Sequence, residues 1–168
     1  MDSFWQTVLW SQFGATLSMF EHVLRACPEE LWNYRIWKTT DGRPEFSEFW
    51  YVAYHALFYL DLYTVGALEG FAPPAPFTLG ELEPGVFPER TYSKAELLSY
   101  LDYCRNQCRT TLLGMTDEKA RERCGIPWYR ELSRFELHVD NMRHVQEHCA
   151  QLGLVLGQHG VSATDWEP

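Results

Sequence analysis

The feature that most constrains the fold is the stretch 46–66, which is apolar around nearly its whole circumference. It reads FSEFWYVAYHALFYLDLYTVG. Tyr and Phe are also frequent in strands, which makes a strand the competing interpretation. The stretch is far longer than a typical strand of about five or six residues. We therefore predict a central, well-buried helix here.

Three further segments show the periodicity of amphipathic helices, at 4–25, 94–113 and 134–158. Apolar residues recur in each at spacings of three and four. Each segment follows a serine that has Glu or Gln three positions later, as in a capping box. The pairs are Ser3 with Gln6, Ser93 with Glu96, and Ser133 with Glu136. Pro28 and Gly160 are suitable ends for the first and last of these helices.

The connections differ in character. Residues 67–92 contain five prolines and three glycines, so a helix cannot persist there. Such a long loop is usually functional or mobile, and both a lid and a simple crossover fit it. A short helix is predicted over 117–123. Four long helices without a clear strand predict an all-α helical bundle, with residues 1–168 forming one domain.

The charge of the chain limits its partners. The formal net charge is −9, from 14 basic and 23 acidic residues. An acidic chain repels phosphate backbones and anionic lipids, so we expect neither nucleic acid nor a membrane as partner. The aromatic share of 15% indicates a bulky core, an aromatic-lined pocket, or both. A small-molecule substrate or another protein, including a second copy in a homodimer, fits better.

The five cysteines indicate a reducing compartment, because their number is odd and the chain is not a small disulfide scaffold. The N-terminal sequence has no basic stretch and no small-residue cleavage site, so no signal peptide is predicted. The apolar window 49–62 is too short and too polar to span a bilayer. These features predict a cytoplasmic protein.

His144 and His148 are four residues apart in the last predicted helix. They lie about 40° apart around the axis and one turn apart along it, so both imidazoles can reach one ion. Imidazole is a common ligand for zinc, nickel, iron and copper. Such pairs also occur by chance on surface helices, and exposure of His144 would favour that interpretation.

His55 is the strongly polar residue in the middle of the apolar second helix. A buried imidazole needs a partner, and a backbone carbonyl or a tyrosine would serve. A metal ion shared with His144 and His148 is the alternative, because bundles build such sites from facing helices. His55, His144 and His148 are therefore the candidate metal ligands.

Other polar residues near the candidate ligands have less specific patterns. Tyr51 and Tyr59 share the helix face of His55, where they line a pocket or pack in the core. His138 lies about 240° around the helix from His144, too far to join the same ion. A buried metal-bound histidine needs a partner for its second nitrogen. The remaining residues considered are His22 as a fourth ligand, Asp140, Glu147 and Gln151 as such partners, and Cys104, Cys108 and Cys149 as small core residues.

The sequence resembles the DinB-like (DinB/YfiT) superfamily of bacterial four-helix proteins. The resemblance is carried by one histidine within WYVAYHALFYLDLY and by the pair in RHVQEHCAQLG. It implies an up-down-down-up four-helix bundle with a long crossover between the second and third helices. It also implies a metal triad at His55, His144 and His148. The family often has a glycine soon after the second histidine of the pair, where this chain has Cys149 and Ala150.

The resemblance also implies a class of chemistry, since some family members transfer a low-molecular-weight thiol to an electrophile. Three imidazole ligands leave a coordination position open, as in catalytic zinc sites. Water or a thiol at that position becomes a nucleophile near neutral pH. We expect one divalent ion, zinc or nickel ahead of iron, with a low-molecular-weight thiol as candidate co-substrate. The alternative is a non-catalytic ligand-binding or dimerising module whose histidine site is structural or empty.

Overall fold

The computed structural model describes residues 4–40, 42–162 and 166–168. Within these ranges the fold is all-α, as predicted, and it contains no β-strand. Bounds of the third and fourth predicted long helices agree with the structure, whereas the expected capping box at Ser3 lies outside the described residues. The five α-helices are α1 (Phe4–Ala26), α2 (Phe49–Val65), α3 (Lys94–Leu113), the short α4 (Asp117–Arg121) and α5 (Arg134–Gln158).

The second helix starts three residues later than predicted. Residues Pro44–Ser47 form a 3₁₀ turn and Glu48 is extended, so α2 begins at Phe49. The proline is at the start of that turn, where its fixed φ is tolerated. At the other end Gly66 has a φ of 74°, and its N–H donates to Leu62 O over 2.9 Å. A glycine is favoured there because left-handed backbone strains other residues.

The long helices follow an up-down-down-up course. At one end of the bundle Trp32 Nε1 donates to Tyr92 O and Trp50 N donates to Trp32 O, so the end of α1 lies beside the starts of α2 and α3. At the opposite end the Trp5 ring packs edge-on against Phe135, with centroids 5.3 Å apart. The starts of α1 and α5 therefore meet, as the four-helix expectation requires.

The second helix, α2, lies between α3 and α5 and packs against both. The first helix, α1, packs against the same two helices. Fourteen of its seventeen residues are buried, which confirms the prediction of a central buried helix. Serine caps with their reciprocal glutamate bonds begin α3 at Ser93 and α5 at Ser133. These caps fix where each helix starts, and so fix the register of the side chains along α5.

The long crossover between α2 and α3 is packed onto the bundle. Phe77 stacks on Tyr100 with a centroid distance of 4.2 Å, and Phe71 packs edge-on against Phe58. A 3₁₀ helix at Leu79–Leu82 follows. The crossover thereby places a short segment of backbone beside the middle of α2.

Two further expectations can be compared with the described residues. All five cysteines are free and buried, which confirms the prediction that Cys104, Cys108 and Cys149 are small core residues. No described helix is both long and apolar enough to cross a bilayer.

Candidate metal centre

Three imidazoles converge at the interface between α2 and α5. His55 projects from the middle of α2, while His144 and His148 project from successive turns of α5. Each offers one ring nitrogen, and these three nitrogens all lie within 4.8 Å of one another. His144 Nε2 and His148 Nε2 are 3.1 Å apart. The structure thus brings together the three histidines singled out in the sequence.

Hydrogen bonds at the outer nitrogens orient two of the three rings. His55 Nδ1 donates to Glu81 Oε1 over 2.7 Å, and His148 Nδ1 donates to Gln151 Oε1 over 2.8 Å. A proton on each Nδ1 leaves the lone pair on Nε2. Both lone pairs are then available on the side that faces the other imidazoles.

Glu81 is the residue that the sequence interpretation missed. It lies in the 3₁₀ helix of the crossover, and its side chain is only 4% exposed. Its second oxygen accepts a hydrogen bond of 2.8 Å from the Tyr51 hydroxyl. A carboxylate behind a metal-binding histidine fixes the ring and raises its basicity. No periodic pattern surrounds Glu81, so only a search for acidic residues within the long loop could have flagged it.

Burial keeps the two candidate ligands on α5 neutral. It lowers the pKa of His144 from 6.5 to about 3, with added repulsion from His148 and His55. It also lowers the pKa of His148, again with a contribution from His55. Neutral imidazole is the form that binds metals, so the site need not lose a proton at neutral pH to accept a cation.

The donor set fits a divalent transition metal. An ion with nitrogen ligands at about 2.0–2.1 Å in tetrahedral geometry holds them roughly 3.4 Å apart. His144 Nε2 and His148 Nε2, 3.1 Å apart, are close to this spacing, and the ring nitrogen offered by His55 lies within 4.8 Å of the other two. His144 Nδ1 is buried without a hydrogen-bond partner among the described residues. The other nitrogen of this ring, Nε2, is the one that faces His148.

Comparison with family models identifies the family of the chain. The model described as DinB superfamily matches residues 12–152. The chain belongs to the DinB superfamily. Searches of curated proteins and of solved structures gave no match.

The remaining histidines of this DinB-superfamily chain lie outside the cluster. His22 is exposed on α1 and does not join the three, so the alternative that it supplies a fourth ligand is not supported. His138 is buried at 1% exposure but does not join the three, as its angle around α5 predicted. His144 itself is only partly accessible, which contradicts the chance-surface interpretation of the pair.

The sequence left three partners open for the outer nitrogens, and one of them makes the contact. Gln151 bonds to His148. Asp140 instead pairs with Arg143 over 3.5 Å, and Glu147 accepts from the Gln151 amide over 3.4 Å. Tyr51 reaches Glu81, whereas the Tyr59 ring packs on His55 and His144. Both tyrosines therefore belong to the surroundings of the site.

A slot opens beside two of the three imidazoles. It has a volume of about 320 Å³ and reaches His55 and His148. One wall is the α2 face that carries Tyr51, and another comes from the crossover residues that follow the 3₁₀ helix. Volumes of this size are typical of small-molecule sites. In this DinB-superfamily chain two of the three candidate ligands, His55 and His148, are thus reachable from the slot.

Proposed function

We propose that the chain binds one divalent metal ion through His55, His144 and His148 and uses it as an enzyme acting on a small molecule. The observation that carries the proposal is the convergence of three ring nitrogens within 4.8 Å. Family membership supports the assignment, because the matched region includes all three histidines. Zinc or nickel suits three imidazoles, and iron(II) is also compatible with them.

The ion, when bound, would acidify a thiol or a water molecule at its open coordination position. The chain's own residues do the rest. Glu81 and Gln151 hold the Nδ1 protons of His55 and His148, so that Nε2 of each ring stays a donor of its lone pair. Tyr51 steadies the carboxylate of Glu81 from the other side. The slot next to His55 and His148 admits and orients the substrate.

The reaction we favour is transfer of a low-molecular-weight thiol to an electrophilic carbon. A sulfur–carbon bond forms, the bond from that carbon to its leaving group breaks, and the thiol proton passes to solvent. Hydrolysis of the same electrophile, with water in place of the thiol, is the variant reaction. Both need a site that solvent and substrate can enter, and the slot supports that requirement.

The experiment reconstitutes metal-free protein with zinc, nickel or iron(II) and assays each form with a chromogenic aryl halide. Low-molecular-weight thiols are supplied in turn, and water alone serves as the hydrolysis assay. We expect turnover in a metal-loaded form, loss of turnover in His148→Ala, and retention in His22→Ala. The exposed His22 provides the matched control.

Two results would contradict the proposal in different ways. Failure of the wild-type protein to retain any of the ions would overturn the metal site itself. Retention of one ion without turnover of any substrate would overturn the catalytic part. That second result would favour the non-catalytic ligand-binding module.

A further inference from the structure

We infer that the slot beside His55 and His148 is built for a ligand with a ring-sized apolar body. This inference rests on the proposed function, because it assigns what occupies the space next to the metal site. It concerns three segments of the chain that have no part in metal ligation. These are the stretch before α2, the first turn of α2, and the turn that follows the 3₁₀ helix of the crossover.

Aromatic and aliphatic side chains form the walls of the slot. Trp37 and Phe46 come from the stretch before α2, Tyr51 and Val52 from α2, and Val86 from the crossover. The Phe46 ring packs edge-on against Tyr51 at 4.9 Å, which holds both rings in place. Trp37 keeps 42% of its surface exposed and Val86 keeps 41%. These two side chains have apolar surface still to bury, and a ligand entering the slot would cover it.

The size of the slot limits its occupant. A volume of about 320 Å³ corresponds to roughly ten water molecules at about 30 Å³ each. A single aromatic ring with a short metal-binding arm fills such a space. His55 and His148 lie on the slot and so mark the end where the arm would bind.

Charges of both signs lie around the slot, so they do not select the charge of the ligand. Glu81 and Glu83 line the slot. The Arg43 guanidinium packs over the wall residue Phe46, 5.1 Å from the ring centroid. A bound divalent ion would add positive charge at the slot. The apolar walls are therefore the feature that selects the ligand.

The test uses cobalt(II)-loaded protein and two thiol probes, because a thiolate bound to cobalt(II) gives an absorption band independent of turnover. The probes are 2-mercaptoethanol and benzyl mercaptan. We expect benzyl mercaptan to bind at least roughly tenfold more tightly than 2-mercaptoethanol, because its ring buries apolar surface.

Two variants locate the ring. Trp37→Ala should reduce the preference for benzyl mercaptan several-fold, since the indole is part of the wall. Leu154→Ala is the matched control, because Leu154 is an apolar residue 64% exposed on α5 and does not line the slot. Both side chains are exposed, so neither substitution should unfold the protein. Cobalt content is measured in every sample.

The outcomes separate the two proposals. If cobalt binds but the thiols with and without a ring bind equally, the slot inference is wrong and the metal site stands. The same holds if Leu154→Ala acts like Trp37→Ala. If the wild-type protein retains no cobalt, zinc or nickel, the proposed function fails and the slot inference fails with it.

Discussion

Glu81 Oε1 lies 2.7 Å from His55 Nδ1, so a carboxylate from the crossover holds the imidazole that projects from the middle of α2. The two residues are 26 positions apart in the chain. Tyr51, one turn before His55 on α2, donates to the other oxygen of the same carboxylate. The crossover is thereby joined to the candidate metal centre by a buried hydrogen-bonded group.

Replacement of Glu81 tests whether this contact supports metal binding. We expect Glu81→Ala to weaken zinc binding by about 10- to 100-fold, because the ring loses its orientation and basicity. Glu81→Gln should cost less, because its amide oxygen can still accept from His55. Affinity is measured by competition with a chromogenic chelator. Glu83→Ala is the control from the same segment, and an equal loss there would contradict the prediction.

Replacement of Gln151, which contacts His148, should weaken zinc binding less than replacement of Glu81. Gln151 Oε1 accepts from His148 Nδ1 over 2.8 Å, but a neutral acceptor binds less strongly than a carboxylate. Gln151→Leu should therefore weaken zinc binding less than Glu81→Ala does. The same competition assay measures it. A loss larger than that of Glu81→Ala would reverse the ranking of the two hydrogen bonds.

These two contacts show what the sequence could and could not predict. Helix periodicity, serine caps and the spacing of His144 and His148 follow from local physics, and the structure agrees with them. The position of Glu81 depends on how a proline-rich loop folds back over α2. That path is set by packing such as Phe77 on Tyr100, which no local pattern encodes.

The sequence also could not predict that Gln151, rather than Asp140 or Glu147, bonds to the outer nitrogen of His148. All three lie within about one turn of the histidine pair. Their side-chain directions decide which one reaches an imidazole, and Asp140 instead pairs with Arg143. The bounds of α2 were misjudged for a related reason. The apolar pattern continues through Phe46, although the backbone there is a 3₁₀ turn.

Tyr100 and Asp61 form a buried pair between α3 and α2 that contributes to stability. The Tyr100 hydroxyl donates to Asp61 Oδ2 over 3.0 Å, and both residues are 1% exposed. Burial raises the pKa of Asp61 to about 6, and the Tyr100 hydrogen bond opposes that rise. Tyr100→Phe should therefore destabilise the protein at pH 7 by about 1–3 kcal/mol. Urea denaturation measures it, with Tyr103→Phe on the same helix as control; equal stability of the two variants would contradict the prediction.

The buried imidazole of His138 should make the protein less stable in acid. Burial, with added repulsion from Arg134, lowers its pKa from 6.5 to about 4 in the folded protein. Above pH 6.5 the imidazole is neutral in both states and contributes no pH dependence. As the pH falls from 6.5 to about 4, the unfolded chain binds a proton that the folded chain resists, so stability falls. A shift of this size is worth about 3 kcal/mol.

Urea denaturation of metal-free protein between pH 7 and pH 4.5 measures this effect. His138→Leu should flatten the pH dependence, although His144 and His148 will still contribute to it. The exposed His22 on α1 is the control, and its replacement should leave the profile as in the wild type. An unchanged slope in His138→Leu would show that the buried imidazole is not responsible.

The most direct measurement is the metal content of wild-type protein and of His55→Ala, His144→Ala, His148→Ala and His22→Ala after equilibrium dialysis against zinc. Three imidazoles converging on one point predict one ion per chain in the wild type and in His22→Ala. Each of the other three variants should lose most of that ion, because two neutral ligands hold zinc weakly. Unchanged zinc content in those three variants, or no zinc in the wild type, would contradict the account.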